Sequence, residues 1–181
     1  MRILILGIGN ILFGDEGIGV HLCNYLKVNY SFSGPCQLDF VDGGTLAQSL
    51  IPLIVEYDEV LILDCVDVRD AQVGDVYAFP FNKVPNMVTW AGSAHEVEML
   101  QTLKLIEVMG DLPAVEIIGI VPYIIGEETT FNLTQEVKNG AKLMEKKALE
   151  FLQARGFSYQ KVKDFSLQEI ANHSFRGVDD L

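Results

Sequence analysis

The chain alternates short, uninterrupted apolar runs with longer stretches whose apolar positions recur every three or four residues. Ile3 to Leu6, Glu59 to Cys65 and Val115 to Val121 lack polar alternation and are rich in branched side chains. Such runs predict strands buried on both faces, the signature of parallel sheet. Gln37 to Val41 and Asp75 to Phe79 are shorter strand candidates. Between them lie helical patterns. Ile18, Leu22 and Leu26 give a first helix its inward stripe, and Val97, Leu100, Leu103 and Ile106 do the same for a helix beginning near Ser93. Val137, Ala141, Met144, Ala148 and Phe151 mark a long amphipathic helix over Thr134 to Gln153, and Leu46 to Val55 reads as helix interrupted at Pro52. Alternation of this kind predicts an α/β fold.

Connection lengths orient the strands. Cys65 and Asp75 are separated by only about nine residues without a helical pattern, too few for a parallel crossover, so the strand at Asp75 runs against its predecessor. The chain must then climb back through the loop Pro80 to Gly92, so that the helix near Ser93 runs downward and feeds the upward strand at Val115. The first turn of that helix, with His95, is thereby expected at the carboxyl edge of the sheet. Glu16, after the first strand, and Asp64, closing the strand from Glu59, are expected there too. Ligands of open α/β sheets bind at this edge.

The opening loop reads Gly7-Ile-Gly9-Asn10, then Gly14-Asp15-Glu16-Gly17 ahead of the first helix. A dinucleotide fingerprint would need a glycine where Leu12 stands, and a phosphate loop would need a lysine, yet none precedes Lys27. The loop offers carboxylates, which repel phosphate and attract a metal ion or a cationic group. Asp15 is otherwise a helix cap and Glu16 a solvated first-turn residue. Asp64 ends a buried strand, where a carboxylate is costly unless bonded to loop amides or bound to something. Two carboxylates and an imidazole suit a borderline divalent ion such as zinc or nickel, with coordination positions left open. Asp42 and Asp67 are reserve candidates for shaping the cleft. No His-Glu-x-x-His or Gly-x-Ser-x-Gly motif is present.

Composition narrows the partners. With 25 acidic against 13 basic residues the net charge is −12, which disfavours nucleic acid and anionic membranes. No segment is long enough to span a membrane, and the apolar stretch after Arg2 is too short for a signal peptide. Cys23, Cys36 and Cys65 are odd in number and widely spaced, so neither a disulfide framework nor a thiolate zinc site is expected. The chain reads as cytoplasmic. Cys23 reads as a small buried hydrophobe, and His21, off the apolar stripe, as a surface residue. Its 181 residues fit one domain. Beyond Gly156 the pattern loosens: a short helix is possible over Asp164 to Asn172, and His173 to Leu181 reads as frayed.

These elements together carry a resemblance. Gly7-Ile-Gly9-Asn10 through Asp15-Glu16-Gly-Ile-Gly-Val20, then Asp42-Gly-Gly-Thr45, Asp64, His95 and Gly119-Ile-Val-Pro122 are similar to the nickel-iron hydrogenase maturation endopeptidases, over roughly residues 1 to 153. The resemblance implies a three-layer α/β/α domain, residues 1–156, on a five-stranded, mostly parallel mixed sheet with one antiparallel strand, followed by a C-terminal extension, residues 157–181. It implies an endopeptidase that removes the C-terminal peptide of the nickel-iron hydrogenase large-subunit precursor after nickel insertion. Glu16, Asp64 and His95 would bind the metal, with Glu16 and Asp64 catalytic, and the nickel would be supplied by the precursor, with no organic cofactor. Two alternatives stay open: a self-contained zinc-dependent hydrolase, and a non-catalytic chaperone of the same precursor.

Overall fold

The computed structural model describes residues 1–89, 94–124 and 128–181, the side chains of residues 89 and 94–98 excepted. In chain order the elements are β1 (Arg2–Ile8), α1 (Ile18–Asn29), β2 (Tyr30–Ser33), β3 (Gln37–Gly44), α2 (Ile51–Ile54), β4 (Glu59–Cys65), β5 (Asp67–Val68), β6 (Val76–Pro80), β7 (Val88–Thr89), α3 (Ala94–Met109), β8 (Ala114–Ile120), α4 (Gln135–Gln153), β9 (Ser158–Lys161) and α5 (Leu167–His173).

The main sheet has the order β3-β1-β4-β8-β6. β3, β1, β4 and β8 are mutually parallel, and β6 lies antiparallel to β8. The short connection after β4 thus reverses the chain as its length requires, although β6 pairs with β8 rather than with β4. The strands are apolar on both sides because both sides are covered. Ile3, Ile5, Leu61 and Leu63 pack in one layer with Ile18, Leu22, Leu26, Val137, Ala141 and Met144 of α1 and α4. Leu4, Leu6, Val60 and Ile62 pack in the other with Met99, Leu103 and Ile106 of α3 and with Ala47 and Ile54. The fold is the expected three-layer α/β/α sandwich.

Register places the site. Gly7 lies level with Leu63, and Asp64 with Gly119, so β1, β4 and β8 end together. β7 pairs with β5, immediately beyond β4, which shows that the chain has returned to the carboxyl edge by Thr89. α3 then runs from that edge to the start of β8 at the opposite one.

Three differences from the sequence reading have local causes. The stretch at Leu46 to Val55 is a 3₁₀ turn (Ala47–Leu50) followed by α2, so Pro52 stands in a first helical turn, where its missing N–H costs nothing. β2 and β9, both short, pair antiparallel outside the main sheet. The residues after His173 form a further 3₁₀ turn (Ser174–Arg176), and Val178 is buried against Val28 and Ile170.

Candidate active site

β1 delivers the chain to the sheet edge and the loop turns back at once. Gly9 adopts φ +148°, and a Cβ there would overlap the Glu16 carbonyl. The Asn10 N–H donates to that same carbonyl at 3.1 Å. The Asn10 side chain accepts from Leu12 N–H at 3.1 Å, and Phe13 C=O accepts from Glu16 N–H at 3.2 Å. These bonds close a compact loop that ends in the 3₁₀ turn Gly14–Gly17. Glu16 rides on this turn, half-buried.

Its neighbour Asp15 points elsewhere. The carboxylate is 1% exposed and caps nothing in its own helix. It accepts from Thr134 N–H at 2.8 Å, the Thr134 hydroxyl at 2.7 Å and Tyr123 N–H at 3.1 Å. Thr134 is itself the N-cap of α4, accepting from Val137 N–H. Asp15 therefore ties the Glu16 turn to the end of β8 and to the head of α4. A second tie runs alongside, with Gly14 N–H donating to Thr130 C=O and Thr130 N–H to Leu12 C=O, each at 2.8 Å.

Asp64 closes β4 and is 2% exposed. Its Oδ1 accepts from Cys65 N–H at 2.7 Å, which fixes the plane of the carboxylate. Cys65 donates its thiol to Asp15 C=O at 3.4 Å, so the peptide units next to Glu16 and Asp64 lie side by side. Close packing of α1 on the strand ends makes this possible: a Cβ on Gly19 would collide with the carbonyl oxygens of Leu63 and Ile8. Asp42 and Asp67 are both exposed; Asp42 accepts from Gly44 N–H at 2.9 Å and so shapes the irregularity at the end of β3. His95 stands second in α3, whose first turn opens at the same edge. Its side chain lies outside the described residues, and among the described residues no group of three His, Cys, Asp or Glu side chains is assembled to hold an ion.

The chain and its fold have known counterparts. The family model described as "HycI: Hydrogenase maturation protease" matches residues 20–151. The chain belongs to the hydrogenase maturation protease family. It is 54% identical over 158 residues to Protein HydD of Wolinella succinogenes, covering 87% of this chain and 99% of that protein. The hydrogenase 2 maturation protease of Escherichia coli K12 is 30% identical over 123 residues, 67% of this chain and 74% of that one. In structure, the hydrogenase maturating endopeptidase HybD from E. coli superposes with a TM-score of 0.78 at 25% identity, covering 90% of this chain and 98% of that one. This maturation protease is accordingly a peptidase with the HybD fold.

Two site-adjacent residues escape local sequence reasoning. Asp15 is a buried anchor rather than a helix cap. His21 is fully buried rather than at the surface. Burial lowers its imidazole to about 4, because the charged ring would lose its water. The Ser174 hydroxyl donates its single proton to Ile170 C=O at 3.0 Å, and so accepts from His21 Nδ1–H at 2.8 Å. His21 Nε2 is left as a bare acceptor with no hydrogen-bonding partner among the described residues. The signal for His21 was its position one turn from the glycines, but the segment that covers it lies over 150 residues downstream.

Proposed function

We propose that this maturation protease removes the C-terminal peptide of a nickel-iron hydrogenase large-subunit precursor, and that the nickel already held by the precursor is its recognition signal. The observation that carries the reading is the adjacency of the Glu16 turn and the Asp64 strand end at the edge where α3 begins. Glu16, Asp64 and His95 form a donor set of two carboxylates and one imidazole, which suits nickel yet leaves positions for ligands from the client. An incomplete set of this kind favours an ion that arrives partly coordinated. Cys23, Cys36 and Cys65 are thiols rather than disulfide halves, which suits a reducing compartment such as the cytoplasm.

The client's nickel, as part of the substrate, fixes the scissile peptide over the cleft and polarises it. Asp64, buried and held in plane by the Cys65 amide, serves as the fixed ligand. Glu16, half-buried on its turn and so open to solvent, serves as general base. It takes a proton from water as the water oxygen bonds to the scissile carbonyl carbon, and returns that proton to the leaving amine nitrogen as the C–N bond breaks. The test is to mix purified protein with nickel-loaded and nickel-free precursor and to weigh the products. Release of a single C-terminal peptide from loaded precursor alone supports the reading. Equal processing of both forms removes nickel as the signal, and no processing of either favours the chaperone alternative.

A further inference from the structure

Residues 164–181 lie beyond the stretch matched by the family model, yet they bond to both flanks of the Glu16 turn. On one flank, Gln168 of α5 accepts from Leu133 N–H at 3.0 Å and donates to Phe131 C=O at 2.9 Å. The Phe175 ring stacks on Phe131 with centroids 5.4 Å apart. The segment held in this way, Thr130 to Thr134, is the one that grips Leu12 and Gly14 through one backbone bond each and Asp15 through the Thr134 hydroxyl and amide. On the other flank, Ser174 holds the buried His21 ring, and His21 Nε2 lies 2.6 Å from where a Cβ on Gly17 would stand. The ring therefore backs directly onto the turn. Residues 15 and 17 are each fixed by a path that ends in the tail, and Glu16 lies between them.

We propose that the C-terminal segment is a brace for the catalytic turn, with Gln168 and Ser174 as positioning residues that hold the Glu16 carboxylate in place through Thr134–Asp15 and through His21–Gly17. The brace acts on a side chain that must hold its place relative to Asp64 and the scissile bond, where misplacement of about 1 Å costs on the order of 10²-fold in rate. The carriers are short, directional hydrogen bonds into a loop with no apolar core of its own, so loss of one bond is felt locally as motion of the turn. The proposal rests on Glu16 acting in peptide cleavage, but its structural half can be read without any client.

The test uses the full chain and three variants. Gln168→Ala and Ser174→Ala each remove one tie. Val178→Ala weakens the same segment at its packing against Val28 and Ile170, away from the turn. Hydrogen–deuterium exchange of the client-free protein is followed in peptides spanning residues 10–18, where the Gly14 amide bonded to Thr130 C=O reports most directly. Exchange there should quicken about tenfold in Gln168→Ala and Ser174→Ala and stay within twofold in Val178→Ala. In precursor cleavage, kcat should fall about tenfold with KM within twofold for the first two variants, and Ser174→Thr, which keeps the hydroxyl, should restore it. Unchanged exchange at residues 10–18 in both tie variants overturns the brace, as does an equal fall of kcat in Val178→Ala, which would trace the effect to overall stability. Failure of the wild-type chain to cleave would sink the proposed function and leave the exchange comparison to decide the brace.

Discussion

Replacing Asp15 by Ala should destabilise the protein far more than removal of a loop carboxylate ordinarily does. The side chain is 1% exposed and accepts three hydrogen bonds, two from Thr134 and one from the Tyr123 amide. Hydrogen bonds to a charged acceptor contribute about 1.5–3 kcal/mol each when the donor is left without a partner. Tyr123 is largely exposed, so its amide recovers a water and adds little. The two Thr134 bonds at the low end of the range give about 3 kcal/mol. For a chain of this size that is a fall in Tm of about 6–12 °C. Urea denaturation measures it directly, provided the m-value is unchanged. A cycle with Thr134→Val isolates the hydroxyl bond, and the coupling should be at least about 1 kcal/mol. An Asp15→Ala protein within about 1 kcal/mol of wild type, or a cycle with no coupling, would show that the Glu16 turn is not anchored through this carboxylate.

Two further outcomes follow from the site. Burial lowers the folded-state His21 imidazole to about 4, against an ordinary value of about 6.5, so the unfolded chain binds the extra proton first as pH falls. Its stabilising contribution is complete above pH 7 and is lost progressively towards pH 4; about 2 kcal/mol of it should disappear between pH 7 and pH 5. A His21→Leu variant should lack that slope in urea titrations, and an identical slope in both proteins would remove the assignment. Glu16→Gln and Asp64→Asn should each lower kcat/KM for precursor cleavage by about 10²–10⁴-fold, with Tm for Glu16→Gln within a few degrees of wild type by calorimetry. Undiminished cleavage by either variant would take that residue out of the chemistry.

Much of this fold was legible in the sequence because the strongest signals were local. Ile3 to Leu6 and Glu59 to Cys65 are apolar on both faces since helices cover both, and their shortness and branched residues mark them as strand. The downward course of β6 followed from the length of one connection, and the placement of α3 at the carboxyl edge followed from β6. What was not legible depends on contacts distant in sequence. Asp15 is identical in local pattern to a helix cap, and only Thr134, over a hundred residues away, turns it into an anchor. His21 lies off the stripe that faces the sheet, and periodicity sees only one packing layer. The second layer is α5 and the Ser174 turn, drawn from a stretch with too few apolar residues to announce a buried face. β2 and β9 are too short and too polar to read as strands until they are seen paired.

Glu16, Asp64 and His95 are proposed to share one ion, and anomalous scattering at the nickel edge from crystals of the protein soaked in nickel reads this out. A single strong peak is expected about 2.0–2.3 Å from a Glu16 oxygen, an Asp64 oxygen and a His95 ring nitrogen. A peak bound only by surface carboxylates, or a His95 ring beyond reach of an ion held by the other two, would contradict it.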